Sequence, residues 1–366
     1  MKNIKHNFIT SLLIMKKAVL LIVIALSGMV AFAQKINKNE LKQLQNFLAQ
    51  PAEKDASNAV ALKIDNLNDP STWEGVTVAN GHVTEIKWKD RHLAGTLNLS
   101  GFSALTSVDV SRNYLTGFTA TGDAALTDLN VSRNRLTSVD LTNCTALTKV
   151  SLNNNRLTEF TLGNVPQIKN LNISNNYFVD LNLSNSPTLE TLNCQGNRLE
   201  NLAVDYCTAL KNLYCGYNKL TQLNFVGVEN LQNLNIDDNQ ISSMIVSGLP
   251  SLSTFVCSDN NMKTLGVRNC QALLDLVCSY NDLTELSITQ CPRLTFVDCS
   301  YNDLTSLDLS NYTFLQRILC NNNELTTLDV SFDQALTYIN CRFNQIMDMR
   351  TMDTPNLNMV ACQWNY

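Results

Sequence analysis

Apolar residues recur along most of this chain in a frame of 21 residues that is anchored on an Asn. Apolar residues stand eight and five positions before each Asn, and a Val, Leu, Ile or Cys stands three before it. Another apolar residue stands two after each Asn from Asn113 to Asn344. The anchoring Asn residues follow one another without a slip, at Asn113, Asn134, Asn155, Asn176, Asn197, Asn218, Asn239, Asn260, Asn281, Asn302, Asn323, Asn344 and Asn365. Alternating apolar positions predict one short strand per repeat. One repeat cannot bury its own apolar side chains, so the pattern predicts a stack of repeats with a continuous core.

The frame is a leucine-rich repeat, and it predicts an α/β-type repeat solenoid. We expect a right-handed, curved solenoid with a parallel sheet on its concave face and short strands and turns on its convex face. An earlier, atypical coil starts at Val83 and carries Arg91 in place of the Asn. This gives about 14 coils over residues 83–366 and a sheet about 60 Å long at ~4.8 Å per strand. We interpret the Asn residues as a structural ladder, because an amide both donates to and accepts from backbone groups that a turn leaves unpaired.

Residues 34–82 predict a small helical cap on the first coil. Two stretches have helical spacing, one through Leu41, Leu44, Phe47 and Leu48 and the other from Ala59 to Ile64. A turn is predicted at Asp69-Pro70, and Asn80-Gly81 is a strong hairpin signal. Since the sequence between cap and solenoid contains no Pro-, Gly- or Ser-rich linker, we expect the two to fold as one unit.

Residues 1–33 have the layout of a secretory signal peptide. Lys16 and Lys17 precede an apolar run over 18–26, and a small-residue end follows at Ala31-Phe32-Ala33. This predicts cleavage before Gln34 and a secreted or cell-surface protein. The alternative is an uncleaved anchor, but 18–33 is shorter than the ~20 residues that a spanning helix needs. No Cys follows the cleavage site, so a lipoprotein anchor is not indicated.

Charge and composition narrow the functions. The chain has 27 Lys and Arg against 32 Asp and Glu, and removing 1–33 deletes four Lys, which changes the net charge from −5 to −9. A net negative charge argues against a nucleic-acid partner. With three His and no catalytic motif in the sequence, we predict neither an enzyme nor a cofactor.

The twelve cysteines fall into two columns of the repeat. Eight stand three positions before the Asn, at Cys194, Cys215, Cys257, Cys278, Cys299, Cys320, Cys341 and Cys362. The other four stand ten positions after it, at Cys144, Cys207, Cys270 and Cys291. We interpret the eight as a ladder of reduced, buried thiols that pack like small hydrophobes. A disulfide framework is the alternative, because neighbouring coils bring Cα atoms within bridging range. The spacing fits zinc poorly, since there is no C-x-x-C pair and no accompanying His.

The concave face holds the candidate ligand-binding residues. Positions seven, six, four, two and one before the Asn face solvent, and towards the C-terminus they become rich in aromatic and Arg side chains. The candidates are Tyr214, Tyr217, Tyr280, Phe296, Asp298, Tyr301, Arg317, Tyr338, Arg342, Phe343 and Trp364. Such side chains suit stacking on sugar rings or holding a peptide, although aromatics also favour sheets for purely structural reasons. The acidic residues Asp237, Asp238 and Asp259 supply too few oxygens for calcium, so we predict no metal site.

The 21-residue period with Cys in its inner column resembles the extracellular leucine-rich-repeat proteins of bacteria, and in particular the internalins. The resemblance covers about residues 83–366 and implies a curved solenoid that binds partners, often host surface molecules, on its concave sheet. Internalins with such repeats carry a wall-anchoring motif after the solenoid, which this sequence does not contain. The segment Trp73-x-Gly75-Val76 instead resembles the cap of plant-type repeat proteins, with Val78 where that cap has a Cys.

We therefore expect an adhesin-like binding protein that recognises a protein or glycan through the concave face. One alternative is a structural protein that self-associates through its last coil, whose sequence stops just after Asn365 and offers unpaired strand groups. Another is a docking or inhibitory module for an enzyme.

Overall fold

The computed structural model describes residues 36–159, 167–310 and 312–365. The helices are α1 (Lys38–Leu48), α2 (Asn58–Ala61) and a 3₁₀ helix (Pro70–Thr72). The strands are β1 (Val76–Ala79), β2 (His82–Lys87), β3 (Ala94–Asn98), β4 (Ser107–Asp109), β5 (Tyr114–Thr119), β6 (Asp128–Asn130), β7 (Val139–Asp140), β8 (Lys149–Ser151), β9 (Asn170–Asn172), β10 (Asp180–Asn182), β11 (Thr191–Asn193), β12 (Asn201–Ala203), β13 (Asn212–Tyr214), β14 (Asn233–Asn235), β15 (Ser243–Ser247), β16 (Thr254–Val256), β17 (Thr264–Arg268), β18 (Asp275–Val277), β19 (Glu285–Thr289), β20 (Phe296–Asp298), β21 (Arg317–Leu319), β22 (Thr327–Asp329), β23 (Tyr338–Asn340), β24 (Asp348–Arg350) and β25 (Met359–Ala361). The predicted signal peptide, residues 1–33, lies outside the described residues.

One sheet of 15 strands runs the length of the molecule, in the order β1-β2-β4-β6-β8-β9-β11-β13-β14-β16-β18-β20-β21-β23-β25. From β2 onward the strands are parallel. Residues of β2 pair with residues of β4 that stand 22 positions later, as Ile86 with Val108. From β4 onward the offset is 21, as Val108 pairs with Leu129 and Leu129 with Val150. β1 pairs antiparallel with β2 across the predicted hairpin turn. The predicted leucine-rich-repeat solenoid with a parallel sheet and a small helical cap is confirmed.

Each Asn of the frame joins its own coil to the coil before it. The side chain of Asn260 is buried, and its Nδ2 donates to the carbonyls of Cys257 in its own coil and Ile236 in the preceding one, at 3.3 and 3.0 Å. Its Oδ1 accepts from the backbone N–H of Ile241, also in the preceding coil, at 3.0 Å. The same three bonds recur at Asn281. The turn after each strand is thereby bonded in both directions along the solenoid.

The convex side carries shorter sheets. Within the described residues its strands form four groups, β3-β5-β7, β10-β12, β15-β17-β19 and β22-β24. The core lies between the two sides and contains the apolar residues of the frame from every described coil.

The cap covers the first coil with an aromatic stack and a buried carboxylate. Phe47 of α1 lies over Trp88, which fills the inward position of the first coil, with ring centroids 6.0 Å apart. The buried Glu40 accepts from the backbone N–H of Val83 at 2.9 Å and contacts His82 Nδ1 at 2.7 Å. The apolar edge of the sheet is therefore closed at this end.

The second cap helix is shorter than predicted. The sequence predicts a helix over Ala59–Ile64, whereas α2 ends at Ala61. Lys63 has a left-handed backbone, with φ +56°, and this conformation cannot continue the helix. The described stretches 36–159, 167–310 and 312–365 contain no helix that is both long and apolar enough to cross a membrane.

Candidate functional site

One residue in each coil, directly before the Asn, has a left-handed backbone. Its φ lies between 49° and 66° in all thirteen coils. In the first twelve of these coils the backbone N–H of this residue donates to the next coil; for Tyr280 the acceptor is the carbonyl of Ser300, at 3.0 Å. Asn, Asp or Gly tolerates this conformation best, and five coils have one of the first two there, at Asn154, Asn175, Asp238, Asp259 and Asn322.

Five other coils place an aromatic residue in this position. We call this set the aromatic edge; its members are Tyr217, Tyr280, Tyr301, Phe343 and Trp364. Their exposed fractions lie between 43% and 73%. A left-handed backbone costs an ordinary side chain roughly 1–2 kcal/mol, and these rings are not placed in the core, where burial would stabilise them most. The aromatic edge is thus a costly, solvent-facing arrangement at the rim of the concave sheet.

Four of the five rings stack in pairs on neighbouring coils. Tyr280 and Tyr301 have ring centroids 4.4 Å apart and planes 8° from parallel. Phe343 and Trp364 are 5.9 Å apart, also at 8°. Tyr217 lies three coils from Tyr280, beyond coils that carry Asp at the same position. The structure therefore stacks the two rings within each C-terminal pair and leaves Tyr217 apart from both pairs.

The Asp residues of the coils next to Tyr217 change the pKa of its hydroxyl. The negative charge of Asp237 raises the pKa of Tyr217, and partial burial raises the pKa of Asp237 itself. In the part of the chain that the structure describes, no group of three or more Asp, Glu, His or Cys side chains is arranged to hold a metal ion.

Arg317, on β21 of the concave sheet, lies between two aromatic rings. Its Cζ lies 5.3 Å from the ring centroid of Phe296 on the preceding coil and 5.7 Å from that of Tyr338 on the following coil. The carboxylate of Asp298 accepts from the hydroxyl of Ser300 at 2.6 Å instead of pairing with Arg317. We call Phe296, Arg317 and Tyr338 the arginine clamp.

The other residues predicted to bind a ligand differ in exposure and in their distance along the solenoid from the arginine clamp. Arg342, directly before Phe343, donates from Nε to Gln363 on the next coil. Phe296, Asp298 and Tyr338 are half-buried, which is less exposed than the sequence pattern suggested, because neighbouring coils cover the strand positions. Tyr214 is also half-buried and lies with Tyr217 on a coil remote from the arginine clamp.

Sequence reasoning missed two cation–π pairs on the loop just after the Asn. Arg135 Cζ and Arg198 Cζ each lie 4.4 Å from a ring centroid on the preceding coil, that of Tyr114 and that of Tyr177. A Tyr followed 21 residues later by an Arg was the available signal.

The cysteines carry free thiols, and eleven of the twelve are buried. Burial raises the pKa of Cys194 and of Cys299 to about 12 and that of Cys341 to about 11. Cys362 differs from the expectation of a fully buried ladder, since it is exposed. It lies beside β25, where no described coil packs over it.

Comparisons with known proteins agree with this architecture. A family model described as Leucine Rich Repeat matches residues 230–252. The solved structure of YopM, a leucine-rich effector protein from Yersinia pestis, is 25% identical, with 72% of this chain and 73% of that chain covered and a TM-score of 0.60. The PEPR1–AtPEP1 structure gives a TM-score of 0.70 at 19% identity, covering 90% of this chain and 52% of that one.

A third solved structure is the functional domain of InlJ from Listeria monocytogenes, which includes a cysteine ladder. It is 24% identical, covers 76% of this chain and 70% of that chain, and has a TM-score of 0.48. A comparison with curated proteins found no match. The bonded Asn coils, the matched repeat and the likeness to YopM together show that this chain is a leucine-rich-repeat solenoid protein.

Proposed function

We propose that this chain is a secreted or cell-surface binding protein that recognises a protein or glycan partner through its concave face. The observation that carries the proposal is the aromatic edge, whose rings are exposed in a strained backbone conformation. Exposed aromatic side chains close to Arg are typical of binding hot spots. The repeat fold suits such a role, because its concave positions vary without touching the core. Secretion rests on the sequence of residues 1–33.

The test is a double substitution, Tyr280→Asn with Tyr301→Asn. Asn occupies the same position in three other coils, at Asn154, Asn175 and Asn322, so the backbone is preserved. We expect the melting temperature to change little and the capture of partners from glycan arrays and from extracellular protein extracts to fall at least tenfold.

Tyr206 provides a matched control. It is aromatic, exposed and left-handed, with φ +60°, but it lies on the convex side, where Asn143 and Asn185 occupy the corresponding positions. Tyr206→Asn is expected to leave capture intact. Equal loss in the two variants, or retention in both, would contradict recognition through the concave face.

A further inference from the structure

The guanidinium of Arg317 is held in place but not neutralised. Two rings restrict its position from neighbouring coils, at 5.3 and 5.7 Å. Among the described residues its side chain has neither an ion pair nor a hydrogen bond, whereas Arg135 pairs with Glu53 at 2.8 Å and Arg350 with Asp348 at 2.8 Å. Arg317 is also exposed. Its planar fork of N–H donors therefore remains available to a ligand.

The surroundings of Arg317 are positive in a chain that is negative overall. The concave positions of the coils anchored on Asn323, Asn344 and Asn365 include Arg317 and Arg342 and contain no Asp or Glu. The whole chain has a formal net charge of −5. Asp298, on the preceding coil, forms no ion pair with Arg317 in the described structure, and its Oδ1 accepts from the backbone N–H and the hydroxyl of Ser300. The local charge thus complements an anionic group.

We propose that the arginine clamp binds a carboxylate side chain of an acidic peptide segment in the partner. A guanidinium flanked by two aromatic rings can make two parallel N–H···O bonds to a carboxylate, and the rings reduce the side-chain entropy that this binding costs. The stacked rings of Phe343, on the coil of Tyr338, and Trp364, on the next coil, offer contact area for apolar side chains beside the acid. This inference rests on the proposed function and names the chemistry of its partner.

The experiment screens a displayed library of random twelve-residue peptides against the full chain and its variants. We expect the peptides retained by the unaltered chain to be enriched in Asp and Glu, and the enrichment to disappear with Arg317→Gln. For a retained peptide, Arg317→Gln is expected to raise the Kd about tenfold or more, and Arg317→Lys to raise it less, because the charge remains and the fork is lost.

Lys149 provides the matched control. It is exposed, lies at the same position of β8 and has no ion pair among the described residues. Lys149→Gln is expected to retain the enrichment, so that loss with both variants would indicate a general charge effect and overturn the proposal.

Two further outcomes would also overturn the proposal that the arginine clamp binds a peptide carboxylate. Retained peptides without acidic enrichment, yet lost with Tyr280→Asn and Tyr301→Asn, would overturn the carboxylate proposal while leaving concave recognition intact. Hyaluronan, a polysaccharide that carries carboxylates, is used as a parallel probe. If the chain retains no peptides but binds hyaluronan in a way that depends on Arg317, the arginine clamp binds a glycan and the proposal of an acidic peptide is overturned.

Discussion

At the scale of single residues, the convex column ten positions after each Asn includes buried carboxyl side chains as well as buried thiols. Four coils have a Cys there, while Asp123 and Asp333 occupy the same position in two others. Asp123 accepts from the backbone N–H of Phe102 at 2.8 Å. Both carboxyl oxygens of Asp333 are buried without a hydrogen-bond partner among the described residues. Burial raises the pKa of each carboxyl to about 7.

The carboxyl of Asp333 should make stability depend on pH. Because its folded-state pKa lies above the unfolded value of about 4, this carboxyl is neutral and carries no charge-burial cost below pH 4, and the protein loses stability as the pH rises through about 7. The loss is on the order of 4 kcal/mol at alkaline pH. Asp333→Cys, which installs the residue of neighbouring coils, is expected to raise the free energy of unfolding at pH 8 and to change it little at pH 4.

Urea unfolding at both pH values measures this effect. Asp303, which is exposed, serves as a control, and Asp303→Asn is expected to keep the pH dependence of the unaltered chain. An Asp333→Cys variant with the original pH dependence would disprove the assignment to this carboxyl.

At the scale of one coil, hydrophobic spacing predicted the strands and the positions of Asn and Cys, because each follows from which side chains must be buried. The left-handed residue before the Asn was not predicted, since Tyr280 and Trp364 there contradict the usual preference for Asn or Gly. The arginine clamp was predicted only as a set of candidates. Its geometry depends on side-chain contacts between coils 21 residues apart, which periodicity alone does not describe.

The cysteine column gives a prediction at this scale. Thiol modification needs an accessible thiolate, and burial both hides the other thiols and raises the pKa of Cys299 to about 12. A water-soluble maleimide is therefore expected to modify Cys362 quickly in the native chain and the remaining cysteines only after unfolding.

Peptide mapping by mass spectrometry after timed labelling provides the measurement. Cys362→Ser should abolish the fast reaction. Fast labelling of a second cysteine, or blocked thiols after denaturation, would argue against a ladder of buried, reduced side chains and favour the disulfide alternative.

At the scale of the whole molecule, stability in a solenoid is a sum of coil and nearest-neighbour terms, so damage at one end stays local at first. The cap shields the first coil through Phe47, which is buried against Trp88. Phe47→Ala is expected to cost about 3–5 kcal/mol. We expect amide hydrogen exchange to accelerate most in β2 and β4 and least in β20 and β21.

Hydrogen exchange followed by mass spectrometry resolves these regions. Leu67→Ala, at an exposed position of the same cap, is the control and should leave exchange nearly unchanged. Uniform acceleration from β2 to β21 would mean that the solenoid unfolds as a single unit and that the local picture is wrong.

The constant spacing of the coils also fixes the distances between side chains along the concave face. Two coils advance about 9.6 Å, and three residues of an extended chain advance about 10 Å. An extended peptide lying along the solenoid would consequently come into step with the coils at every third residue. Tyr301 and Phe343 lie two coils apart, with Asn322 between them. The solenoid would then select its ligands by the interval between anchor side chains as well as by their chemistry.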